Sequence, residues 1–82
     1  MNSVTTNSKW LKVDGKKLYE KRRKKNYTRE KLSEISGVSE NSIKRLEQGI
    51  ENCMLSTLGK LADALDVLDI SELLIKEEQK NE

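Results

Sequence analysis

The sequence has no histidine, no proline and no phenylalanine, and a single cysteine, Cys53, in 82 residues. Without histidine there is no imidazole base and no imidazole metal ligand. One cysteine makes neither an intramolecular disulfide nor a thiolate metal site, and a reduced, cytoplasmic setting is its natural reading. The glycines, Gly15, Gly37, Gly49 and Gly59, stand too far apart to form a phosphate-cradling loop. There is no Pro-rich or Ser-rich linker and no internal repeat. No apolar run approaches the about 18 residues of a membrane span, and the polar stretch Met1 to Ser8 lacks the apolar core of a secretion signal. Carboxylates remain as catalytic groups, but a single small helical domain rarely encloses a substrate-sized pocket. These absences argue against an enzyme, a metal site or a cofactor.

Charge is what the sequence has in quantity. Charged residues make up 37% and hydrophobic ones only 34%. The length allows one small domain, which buries roughly 60% of its unfolded surface. The net charge of +2 conceals a segregation. Residues 9–31 hold eleven Lys or Arg against three acids, and residues 32–82 hold five against eleven. A basic half is a candidate polyanion footprint, although such a helix also serves as a solvated face or lies on an anionic membrane.

The apolar residues fall at helical spacing between residues 18 and 75. The segment Trp10-Leu11-Lys12-Val13 reads as a brief strand or as a lid on the core. Asp14 is a good N-cap for a helix from Gly15 to Lys25 with Leu18, Tyr19 and Arg22 inward, ended by Asn26. Thr28 caps a second helix with Leu32 and Ile35 on one face, and Gly37 stops it. Ser39 caps a third, with Ile43 and Leu46 inward, and Gly49 stops that. Two short helices around a Gly-containing turn form a helix-turn-helix. Residues 49–54 read as a loop, with Cys53 an ordinary loop residue. Leu58, Leu61, Ala62 and Leu65 mark a fourth helix. Asp69 and Glu72 read as a capping box for a fifth, carrying Ile70, Leu73, Leu74 and Ile75.

The run Tyr27-Thr-Arg-Glu-Lys-Leu-Ser-Glu-Ile-Ser-Gly-Val-Ser-Glu-Asn-Ser-Ile-Lys-Arg-Leu-Glu-Gln-Gly49 resembles the phage-repressor and Cro-like (xenobiotic-response-element-type) helix-turn-helix family. So do the later Leu58-x-x-Leu-Ala-x-x-Leu-x-Val67 and the opening Val13-Asp-Gly-x-x-Leu18 followed by Arg22. The resemblance covers about residues 13–75. It implies an all-α, five-helix orthogonal bundle of the lambda-repressor-like kind, with an N-terminal arm at 1–12 and a charged tail at 76–82. The sequence departs from the family pattern at Arg29 (usually Gln), Ser33 (usually Ala), Cys53 (often Pro) and Met54 (usually a Ser cap), and Leu68 resembles a one-residue insertion.

The resemblance also implies roles. A major groove admits one α-helix, read through its N-terminal end. Ile43 and Leu46 face the core, so Glu40, Asn41, Lys44 and Arg45 face outward. By resemblance Glu40, Asn41 and Arg45 meet base edges, and Ser42 and Lys44 lie closer to phosphates. Thr28 and Arg29, at the start of the second helix, and Gln48 near Gly49 are the other expected backbone contacts. Arg22 and Glu47 match positions that form a partly buried structural ion pair. The implied protein is a sequence-specific regulator that binds double-stranded DNA as a homodimer, with no membrane or small-molecule partner. Leu74 and Ile75 are the expected dimer contacts, with Trp10 and Leu11 as the competing surface. The rival reading is an antitoxin-like module whose acidic C-terminal half neutralises a partner protein. A membrane-surface or RNA-binding basic peptide fits poorly with an ordered core.

Overall fold

Three helices begin on a side-chain oxygen. Asp14 accepts from the backbone N–H of Lys17 at 3.2 Å, Thr28 from that of Lys31 at 2.9 Å, and Ser39 from that of Ser42 at 3.1 Å. Each bond satisfies an amide that a helix start leaves without a partner. The computed structural model describes residues 10–76; the expected arm up to residue 9 and the tail from residue 77 lie outside them. The helices are α1 (Gly15–Lys24), α2 (Arg29–Ser36), α3 (Glu40–Gln48) and α4 (Leu55–Ala64). α4 starts at Met54 without a side-chain cap bond. Gly37 and Gly49 end α2 and α3 at φ 82° and 77°, where a Cβ would be strained. After α1 and α4 the same left-handed step is taken by Asn26 and Asp66.

Three findings differ from the sequence reading. First, residues 49–54 are not all loop. Strand β2 (Asn52–Cys53) pairs antiparallel with β1 (Leu11–Lys12), Leu11 opposite Cys53 and Lys12 opposite Asn52. Of the two readings of Trp10 to Val13 the brief strand holds for Leu11 and Lys12, so these two, placed at the end of the arm, are part of the folded unit, and Cys53 is buried.

Second, there is no fifth α-helix among the described residues. Ile70–Leu73 forms one 3-10 turn. Asp69 accepts from the N–H of Ser71 at 3.0 Å and from its hydroxyl at 2.7 Å, while Glu72 turns away to Lys21 at 3.1 Å. The capping box is thus one-sided. The chain then extends at once, because Leu74 bridges Val13 and the N–H of Ile75 donates to the Lys12 carbonyl at 3.1 Å. Pairing with β1 ends the helical segment before a second turn can form. The architecture of the described residues is four α-helices, a 3-10 turn and a small two-stranded sheet.

Third, Tyr19 and Ile35 are exposed. The Tyr19 ring lies against the Arg22 guanidinium, 5.3 Å from its centroid. α2 is so short that it buries only Leu32.

The core draws a fully buried side chain from every helical element: Leu18, Leu32, Ile43, Leu46, Leu58, Leu61 and Leu73. The start of α1 lies on the end of α3. A Cβ on Gly15 would collide with the Glu47 carbonyl oxygen and come within 2.7 Å of that of Leu46, both backbone atoms that cannot swing aside. Gly59, within α4, has nothing within 4 Å of a Cβ. Gly15→Ala is therefore expected to destabilise by about 2 kcal/mol or more, and Gly59→Ala to stabilise by up to about 1 kcal/mol. Urea midpoints of the two variants check both signs.

Candidate nucleic-acid interface

α3 has one apolar face and one polar face. Ile43 and Leu46 are fully buried, and Glu40, Asn41, Lys44, Arg45 and Gln48 are exposed. The Ser39 cap and the Gly49 stop fix both ends of the helix, so its first turn is presented rigidly. An open depression of ≈ 530 Å³ joins this turn to the start of α2, lined by Arg29, Ser39, Glu40, Asn41 and Lys44. The fold thus brings together Arg29, Glu40, Asn41 and Lys44. Arg45 stands apart and reaches Glu51, its Nη1 3.8 Å from the carboxylate. Thr28 is exposed with its hydroxyl oxygen on the Lys31 amide. Ser42 is half-buried and lines a separate depression of ≈ 340 Å³ with Trp10, Gly37 and Val38. Gln48 lines neither.

Behind the α2–α3 surface lies a charged cluster. Arg22 donates from Nε to Glu47 Oε2 at 2.6 Å and from Nη2 to Oε1 at 3.0 Å. Its Nη1 donates to the Tyr27 carbonyl at 2.9 Å. The two side chains are 6% and 3% exposed. Arg29 then donates from Nε to the same Glu47 Oε1 at 3.1 Å. The Arg29–Glu47 contact went unforeseen in the sequence. Its one signal was the departure itself, a cation where the family pattern has a neutral amide.

The segregated charge is partly folded back on itself. Lys21 pairs with Glu72, and Lys25 with Asp66, so acids of the C-terminal half meet bases of α1. The hydrogen bond from Lys25 to Asp66 raises the lysine pKa above its ordinary value. Lys16, Lys17, Arg23 and Lys24 remain exposed on α1. Asp69 is held below the usual carboxylate range by its bonds to Ser71. Burial, with Glu51 adding, pushes the Cys53 thiol up and keeps it protonated.

The helix-turn-helix family pattern matches residues 18–73, most of the chain. The chain belongs to the Cro/C1-type helix-turn-helix family. Its members are DNA-binding transcription regulators. It is similar in structure to the restriction-modification controller protein C.AhdI from Aeromonas hydrophila, with 35% identity and a TM-score of 0.68, covering 73% of this chain and 89% of that one. Two further structures share the fold at lower identity. A SinR–SinI complex matches at 23% identity and TM-score 0.66, over 72% of this chain and 57% of that chain. Native PhpD with cadmium atoms matches at 22% and 0.68, over 84% of this chain but only 15% of that chain. No curated protein sequence matches the chain. Among the described residues no helix is long and apolar enough to cross a membrane.

The cluster makes the two partners of the family ion pair unequal. Removing Arg22 leaves Glu47 with Arg29, whereas removing Glu47 leaves two guanidinium groups facing each other. Stranding a buried charge costs about 3–5 kcal/mol. Glu47→Ala is expected to fall in that range and Arg22→Ala below it, with the double variant less destabilised than the sum of the two. Denaturation of the four proteins measures both the asymmetry and the coupling.

Proposed function

We propose that the protein is a sequence-specific regulator that binds double-stranded DNA as a homodimer on a pseudo-palindromic operator in the cytoplasm. The observation that carries this reading is the exposed first turn of α3, fixed by its Ser39 cap and adjoining the start of α2 across one depression. In this reading α3 enters the major groove. Asn41 pairs with adenine, Arg45 with guanine, and Glu40 accepts from the cytosine amino group. Thr28, Arg29, Ser42, Lys44 and Gln48 hold the sugar-phosphate backbone, which supplies most of the affinity. Likeness to a restriction-modification controller extends the proposal to control of a gene by occupancy of its operator, which a footprint on the DNA upstream of this gene would test.

One recognition helix reads few base pairs, so two copies are needed, about 34 Å apart on the duplex. The two candidate dimer surfaces lie side by side. Trp10, Leu11, Lys12, Leu74 and Ile75 line one depression of ≈ 340 Å³, and Trp10 and Ile75 are each more than half exposed. An apolar patch built from both ends of the domain suits a two-fold contact. For the antitoxin-like reading, two acids of the C-terminal half, Asp66 and Glu72, form exposed ion pairs with lysines of α1.

Asn41→Ala or Arg45→Ala should cost about 1–3 kcal/mol on the cognate operator and little on random DNA. Equal losses on both DNAs in competition binding would remove these residues from base reading. Ile75→Asp should shift the protein toward monomer in sedimentation while the helical circular dichroism persists. A wild-type chain that stays monomeric at high micromolar concentration and binds one half-site one-to-one would sink the dimer.

A further inference from the structure

The Glu47 carboxylate serves two arginines, and they differ in exposure. Arg22 is buried and its Nε, Nη1 and Nη2 are all hydrogen-bonded within the protein. Arg29 is 36% exposed and uses only Nε. One carboxylate against two guanidinium groups leaves a surplus of one positive charge. Because Arg22 is enclosed, that surplus is presented to solvent at Arg29, in the depression shared with Asn41, Lys44 and one carboxylate, Glu40, which makes no ion pair with Arg29. A guanidinium has five N–H donors in a rigid plane. With Nε–H held on Glu47, the orientation of that plane is set, and the four Nη hydrogens make no other protein hydrogen bond among the described residues. A planar pair of free N–H groups matches the oxygens of a phosphate.

We infer that Glu47 is a positioning residue for DNA binding: it orients the Arg29 guanidinium for a phosphate of the DNA backbone, in addition to holding Arg22. The inference rests on the DNA-binding reading above. It separates Arg29 from an ordinary surface cation. A lysine there would keep the charge, but it has no Nε–H to hold Glu47 while a second set of donors holds phosphate. It also places the phosphate contact in direct connection with the core, since the atom that orients Arg29, Glu47 Oε1, also accepts from Arg22 Nη2.

The test uses a short random-sequence DNA duplex, because a phosphate contact is independent of base sequence. Dissociation constants are measured over a series of salt concentrations for wild type, Arg29→Ala, Arg29→Lys, Glu47→Gln and the Glu47→Gln/Arg29→Ala double variant, each checked for folding by circular dichroism. Arg29→Ala and Arg29→Lys should both weaken binding roughly tenfold, while only the alanine variant lowers the salt slope, by about one. In the Glu47→Gln background the amide oxygen accepts the Arg29 Nε–H only as a weaker, neutral hydrogen bond, so the Arg29→Ala change should cost clearly less than in wild type, about threefold rather than tenfold. If Arg29→Lys binds like wild type, or if Arg29→Ala costs the same in both backgrounds, the positioning role is overturned. If Glu47→Gln does not fold, the lysine comparison decides alone. Wild-type protein that shows no salt-dependent binding to the duplex would overturn the DNA-binding reading itself, and the positioning role with it.

Discussion

The buried contact between Arg22 and Glu47 is the constraint on which the arrangement of the first three helices depends. Arg22 belongs to α1, Glu47 to α3, and the third nitrogen of Arg22 takes the Tyr27 carbonyl just before α2. One guanidinium therefore ties α1 to α3 and to the connection that leads into α2. A buried pair of this kind contributes little net stability compared with apolar packing, because both charges must be desolvated. What it supplies is direction: a bidentate guanidinium–carboxylate contact tolerates only a narrow range of orientations. The backbone enforces the same approach from the other side. Gly15 rests on the carbonyl oxygens of Leu46 and Glu47, so α1 and α3 meet closely where the ion pair forms.

This arrangement turns a short polar helix into a rigid presenting element. α3 is only nine residues long and would be marginal alone. It is fixed by a cap at one end, a left-handed glycine at the other, two buried aliphatic side chains between them, and an ion pair at its penultimate residue. Every group that holds α3 lies on its inward face or at its ends. The outward face of the first turn is left free, and α2 contributes Arg29 to the same surface through the same carboxylate.

Much of this was legible in the sequence because it is local. Asp14, Thr28 and Ser39 act within three residues of themselves, and Gly37 and Gly49 act on their own φ angles. The inward spacing of Leu18, Leu32, Ile43 and Leu46 follows from one turn to the next. What sequence reading missed is non-local. Asn52 and Cys53 carry no strand periodicity, and they become a strand only because Leu11 and Lys12 arrive beside them. Asp69 to Ile75 has a credible helical pattern, but pairing of Leu74 and Ile75 with β1 overrides it. Tyr19 and Ile35 fit an apolar face by type, yet α1 and α2 are covered along too narrow a strip to bury them. The charge halves are separate in the sequence and meet in space through Lys21 and Lys25. The site residues sort in the same way: spacing indicated which residues of α3 face outward, whereas the Arg29 contact with Glu47 required the docking of α2 on α3.

The pairing of Val13 with Leu74 closes the described chain nearly end to end, so the domain is topologically close to a ring with the helix-turn-helix inside it. Closing a loop of that length carries the largest entropic cost of any contact in the fold. The surface proposed to join two copies is made from both arms of that clasp and exists only while it is shut. Assembly and ring closure would then stabilise each other, and a monomer frayed at either end would have no partner surface to offer.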